Sequence, residues 1–264
     1  MKSETDLYWS RRAASVENDA EVNIMDVFQR ELEYAYVCSH LGQEMRVLEV
    51  GCGNGYSTNR FRGLVNHVDA FDYSEEMIRR ARQAFRETNN RFIHDNVLAP
   101  RHLTGPYDAI VCVRVLINLR SVEEQRVAIR NLVSLLGPDG RLVLVEGFSD
   151  GFSSLNELRA KVSLPPLEPA RINFYSPLKA LLPDLERELH LVDEFHLGAY
   201  DYLTRVVYPL MMWPGEAKHN TEFSERSSAL ARAHNPDCLR EFSRVRGFVF
   251  GKGPGHHRTR KPAE

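Results

Sequence analysis

A doubly wound, mostly parallel α/β sheet is the fold this 264-residue chain predicts, and three observations point to it. Short apolar runs alternate with helix-like patterns between residues 46 and 147, as they do when crossover helices link parallel strands. The run Val47, Leu48, Val50 reads as a buried strand and breaks sharply at Gly51, Gly53 and Gly55. Farther on, Gly137-Pro138-Asp139-Gly140 separates a helical pattern from another apolar run, a strong stop and turn signal.

Residues 1–45 open with a polar stretch and then predict a helix from about Asn23 to Leu41, where Val27, Phe28, Glu31, Leu32, Ala35 and Tyr36 recur at helical spacing. Strands follow at 46–50, 67–72, 91–94, 107–113 and 141–147, with helices between the first four and another at 121–136. Ser74 is the expected N-cap of a helix that carries Met77 at its third position. After Gly147 the regularity breaks. Residues 148–175, with their Gly, Ser and Pro165-Pro166, read as an insertion, followed by a helix at about 177–188 and a strand at 191–197. A second irregular section spans 199–222, then a helix at 226–242 and a last strand at 245–250. Seven strands result, in one domain over 46–252 with insertions at about 148–176 and 199–225. The basic, Gly/Pro-rich tail 253–264 is expected to be disordered, with His256 and His257 solvated rather than metal-bound.

Composition sets the outer bounds. Hydrophobic content of 43% and charged content of 27% suit a soluble globular chain, and a net charge of −2 argues against a nucleic-acid partner. Cys38, Cys52, Cys112 and Cys238 form no C-x-x-C pair, so neither a zinc site nor a disulfide framework is expected. The polar N-terminus and the lack of a long apolar run predict no signal peptide, no membrane partner and a cytoplasmic location. Oligomeric state is left open.

The chemistry begins at the glycine turn. Glycines there admit positive φ and let backbone approach a ligand with no Cβ between, while the helix after Tyr56 offers free N–H groups. The pattern is Glu49-x-Gly51-x-Gly53-x-Gly55 rather than the G-x-G-x-x-G of dinucleotide sites, and a carboxylate beside the turn opposes a pyrophosphate but suits a cation. Asp72 closes the next strand about twenty residues on, where such folds place an acid for ribose hydroxyls. An adenosine ligand with a positive charge and no phosphates fits this set, and NAD does not.

The stretches VLEVGCGNG (47–55), VDAFDYSEEMI (68–78), FIHDNVL (92–98), YDAIVCVRVLINL (107–119) and LLGPDGRLVLVEG (135–147) resemble, in order and interval, the class I S-adenosylmethionine-dependent methyltransferases. The regions flanking this core look like a subgroup of small-molecule methyltransferases from bacteria and archaea. The resemblance covers roughly residues 45–150 and implies a Rossmann-like sheet whose last strand enters antiparallel beside the sixth. It further implies S-adenosylmethionine as cofactor: Glu49, Gly51, Gly53, Asn54 and Gly55 at the methionine end, Asp72 on the ribose, and Tyr73 and Met77 flanking the adenine. Asp95 would accept from the adenine amine, the Asn96 backbone would add a contact, and Arg114 would border the methionine moiety. The N-terminal segment, through Tyr8 and Trp9, would close over the cofactor.

For catalysis, Glu146 at the end of the fifth strand is the first candidate base, with a structural hydrogen bond to a loop as its alternative. The acceptor pocket is expected from Tyr8, Trp9, Asn118, Asn156, Arg159, Asn173, Tyr175, Tyr202, Arg205 and Tyr208, which mix aromatic walls with hydrogen-bonding ends. Arg159 and Arg205 hint at an anionic group on the acceptor. No Asn/Asp-Pro-Pro-aromatic motif, paired-glutamate loop or metal-ligand spacing is present, which disfavours DNA adenine, protein arginine and magnesium-assisted catechol chemistry. Methyl transfer to an oxygen or nitrogen of a small molecule is therefore the expected activity. The alternatives are a non-catalytic binder of the same cofactor and a methyltransferase acting on protein or RNA.

Overall fold

The computed structural model describes residues 4–15, 25–86 and 90–253. Its centre is β1 (Arg46–Val50), flanked by β2 (His67–Asp72) and β4 (Tyr107–Val113) in parallel register, Val47 opposite both Val68 and Ala109. Val47, Leu48 and Val50 are all buried, as a central strand covered on both faces requires. The sheet continues through β3 (Arg91–His94), β5 (Leu136–Gly147), β6 (Leu189–His196) and β7 (Val245–Lys252) in the order β3-β2-β1-β4-β5-β7-β6. β7 lies between β5 and β6 and runs antiparallel to both. The expected seven-stranded, mostly parallel sheet is thus present, with the reversal at its last strand.

Helices cover the two faces. α1 (Glu4–Ser15) and α2 (Val27–Cys38) precede the sheet; α3 (Tyr56–Arg60) and α4 (Glu75–Ala84) follow β1 and β2, and α5 (Val122–Leu135) precedes β5. Ser74 caps α4 as expected, its hydroxyl accepting from the Met77 amide at 3.4 Å. One core cluster gathers Val47, Val68, Val111, Val143 and Val249; a second, on the other face, gathers Leu48, Phe71, Ile110, Leu144 and Phe248. The period-two alternation along each strand makes that division.

Several boundaries differ from the sequence reading. No helix joins β3 to β4: the connection is irregular because the Asp95 carboxylate gathers the amides of Asn96, Arg101 and His102. Both sections read as irregular contain helix. α6 (Ser149–Lys161) takes up the start of the first, whose remainder to 175 is irregular, and the second holds α8 (Gly198–Tyr202), a π turn (Leu203–Val207) and α9 (Tyr208–Met212) as one continuous helix. The helix at 177–188 shortens to α7 (Leu178–Leu185). The one expected at 226–242 becomes α10 (Glu222–Ala233) and a 3₁₀ turn (Asp237–Phe242), divided before Pro236. The tail 254–264, and with it His256 and His257, lies outside the described residues, as does 16–24 ahead of α2. No helix among the described residues is long and apolar enough to cross a membrane.

Candidate functional site

Two cavities open at the carboxyl ends of the parallel strands and meet at a shared wall of Trp9, Arg114 and Asn118. That end of an open α/β sheet is where its ligands bind.

The narrower cleft lies against the glycine turn. Gly51 and Gly53 line it at φ +67° and +54°, values that L side chains rarely adopt, and a Cβ on Gly51 would lie 2.4 Å from Val115. Asp72 lines the same cleft and accepts from the amides of Gly53 at 3.0 Å and Ser74 at 2.8 Å, so one carboxylate ties the turn to the start of α4. Tyr73 and Met77 complete this end, and Asn96 lines the adjoining recess beside Tyr73 and Leu98. Glu49 lines the cleft from the end of β1, with the Thr58 hydroxyl donating to it at 2.5 Å. Burial pushes its carboxyl up to about 7, opposed by Ser57 and Thr58 and reinforced by Asp72.

Three residues of the expected cofactor set stand apart. Gly55 caps α3 at φ +80°, and a Cβ there would press on the rings of Phe85 and Phe92 at 2.9–3.0 Å; packing explains it. Asn54 is buried and accepts from the Tyr56 amide at 3.4 Å, lining neither cavity. Asp95 likewise lines neither, since its oxygens serve the three loop amides.

The expected base also has another occupation. Glu146 is 1% exposed and accepts from the amides of Val115 and Leu116 at 2.6 Å each and of Ile117 at 3.4 Å. It lines none of the described cavities. Burial raises its carboxyl to about 7 against those amides and Arg114. This corrects the candidate base to an anchor: it holds the turn 115–117, which carries Asn118, against the end of β5.

The larger cavity has a volume of about 690 Å³. Trp9 donates its indole N–H to Asn118 at 3.1 Å, and Asn118 donates to the Arg114 carbonyl at 2.7 Å, which closes the shared wall. Tyr8, edge-on to Trp9, lines the cavity with Asn173 and Arg205. Tyr175 and Tyr202 do not line it. Tyr175 packs on Phe152 beside Gly147, and Tyr202 on Phe242 and the cluster of Leu155, Leu164 and Val206. Asn156 brackets the backbone of Leu167 and Tyr208 stacks on Phe223, and neither lines the larger cavity.

One cavity wall escaped the sequence reading. Asp26 caps α2 through the Gln29 amide and takes the Tyr200 hydroxyl at 2.7 Å and Arg205 at 2.6 Å. Burial works against its ionisation, but His219, Arg205, Gln29 and Tyr200 together hold it well below the usual carboxylate range. Gln29 donates to Glu33, and Glu33 pairs with Arg114 at 3.2 Å. Of these, only the N-cap position of Asp26 ahead of an apolar helix has a signature in sequence.

A family described as a methyltransferase domain matches residues 47–140. An uncharacterized methyltransferase of Mycobacterium bovis is 30% identical over 99 residues, 38% of this chain and 49% of that protein. The ubiquinone/menaquinone biosynthesis C-methyltransferase UbiE of Yersinia enterocolitica is 31% identical over 116 residues, 41% of this chain and 45% of that protein. The chain therefore spans about half the length of the curated relatives it matches. Among solved structures, the N-methyltransferase NodS of Bradyrhizobium japonicum, in complex with S-adenosyl-L-homocysteine, superposes with a TM-score of 0.59. That match is 16% identical and covers 96% of this chain and 100% of NodS, a likeness of fold.

Proposed function

We propose that this chain, whose residues 47–140 match a methyltransferase domain, uses S-adenosylmethionine to methylate an oxygen or nitrogen of a small molecule held in the larger cavity. The observation that carries the reading is the pair of cavities meeting at Trp9, Arg114 and Asn118. A donor in one cavity and an acceptor in the other would meet beside those three residues, where the two cavities adjoin.

The cleft residues fit the cofactor. Gly51 and Gly53 leave its backbone open, Asp72 stands at the ribose position, and Glu49 is a buried acid that a cation would return to its ionised form. When bound, S-adenosylmethionine supplies an electrophilic methyl group on a sulfonium. Displacement at such a carbon is in-line, so what the protein contributes is alignment, worth roughly 7–11 kcal/mol in favourable systems. Arg114 and Asn118 fix the wall through Glu33, Trp9 and the Arg114 carbonyl. The larger cavity has the size usual for small-molecule ligands, roughly 300–1,000 Å³.

Calorimetric titration with S-adenosylmethionine, S-adenosylhomocysteine and NAD tests the reading. The two adenosyl ligands are expected to bind at micromolar levels and NAD not at all, and Asp72→Ala is expected to weaken both at least tenfold. NAD binding alone, or an unaffected Asp72→Ala, would overturn the donor assignment.

A further inference from the structure

Five arginines line the larger cavity: Arg12 on α1, and Arg114, Arg205, Arg244 and Arg159. Three are matched by carboxylates, Arg114 by Glu33 at 3.2 Å, Arg205 by Asp26 at 2.6 Å and Arg244 by Asp201 at 2.6 Å. Arg159 is not. Its side chain donates to the carbonyls of Pro165 and Arg205 and meets no carboxylate among the described residues. It is 5% exposed, and burial with the neighbouring charges of Arg205 and Arg244 lowers its affinity for its proton. The remaining acids of the cavity, Glu168 and Glu216, are exposed at its rim.

Carbonyls solvate a cation without neutralising it, and a buried charge is ordinarily paired. The uncompensated charge faces an open cavity, and a π turn (203–207) brings one of those carbonyls to it. Such turns recur at functional sites. The Leu164 amide donates to the Arg159 carbonyl at 2.9 Å, and Leu164 lines the cavity together with Met25 and Trp213, which are 62% and 65% exposed. The lining therefore holds one buried guanidinium, Arg159, that meets no carboxylate among the described residues, together with the apolar surface of Leu164, Met25 and Trp213.

Resting on the methyltransferase reading, we propose that the acceptor is an amphipathic monocarboxylic acid, its carboxylate seated on Arg159 and its apolar body running past Leu164 towards Met25 and Trp213. A single unmatched guanidinium suits a monoanion, and its fork suits a planar carboxylate. Arg205, the other arginine the sequence singles out, is already satisfied by Asp26 and serves to hold the wall.

The test uses the full chain saturated with S-adenosylhomocysteine. Arylacetic, hydroxybenzoic and medium-chain fatty acids are titrated, each beside its own neutral amide. At least one acid is expected to bind tenfold or more tightly than its amide, about 1.4 kcal/mol. In Arg159→Gln that acid falls to the level of its amide, Arg159→Lys keeps part of the preference, and both variants keep S-adenosylhomocysteine affinity. If no acid outbinds its amide on the unaltered protein, or the preference survives in Arg159→Gln, the proposal is overturned while the donor reading stands. Failure of S-adenosylhomocysteine to bind sinks the donor reading instead, and the acid–amide comparison is then decided on the protein alone.

Discussion

Glu49 ends β1 in a place where burial holds its carboxyl up to about 7. An ammonium beside it would favour the ionised form, so binding would expel a proton in the pH range where the free protein keeps one. Affinity for S-adenosylhomocysteine is therefore expected to rise roughly tenfold from about pH 5.5 to about pH 7.5, an effect that a pKa shift of one to two units can supply. Glu49→Gln should flatten that rise. Calorimetry in buffers of differing ionisation enthalpy reads the released proton directly, and a pH-independent affinity in the unaltered protein would remove Glu49 from the ligand. Glu49 and Asp72 were legible in sequence because they belong to a local motif whose geometry the glycines dictate. Asp95 and Glu146 were not, because an acid at a strand end looks the same whether it meets a ligand or a row of amides. Arg159 stands out in the sequence, but its lack of a carboxylate depends on Asp26 and Asp201 reaching the other arginines from distant parts of the chain.

Among the elements, the end of β5 and the turn after β4 behave as one unit. The Arg114 amide donates to the Val145 carbonyl at 2.8 Å, Arg114 itself sits at φ +56°, and the next three amides converge on Glu146. Glu146→Ala would orphan those amides in a buried place, at a cost of about 1–3 kcal/mol for each one left without a partner. A loss of about 3 kcal/mol in urea unfolding is expected, together with weaker acceptor binding as Asn118 loses its footing. Full stability in that variant would contradict the anchoring role. The parallel core strands were legible from composition and punctuation, whereas α6 and the helix over 198–212 were not. Glycine and serines at the start of α6 read as loop, yet Gly151 is there because a Cβ would meet the Ser243 carbonyl at 1.7 Å. In the second helix the π turn slips the 3.6-residue period, so its buried positions fall out of phase with a regular pattern.

At the scale of the molecule, Glu49 and Glu146 make the unliganded protein sensitive to pH. Both carboxyls are raised in the folded state, from 4.5 to about 7, so the fold holds protons there that the unfolded chain releases. Their contribution is complete below pH 4.5 and is lost as pH climbs to about 7, a matter of a few kcal/mol for the two together. The urea midpoint of the free protein should fall across that window, and saturating S-adenosylhomocysteine should recover the share that belongs to Glu49. A midpoint unchanged between the two ends would show that neither acid is held protonated.

The placement of β7 has a bearing on how the molecule comes into being. It is last of the strands in sequence but internal in the sheet, and among the described residues β6 pairs with β7 alone. During translation, everything up to Arg244 can emerge while β6 has nothing to pair with and the β5 edge lies bare. Only when residues 245–252 clear the ribosome can Phe248 and Phe250 enter the core between them. A chain stalled just short of that point would carry the whole glycine turn and both cavity walls, yet would present an open edge to chaperones and proteases.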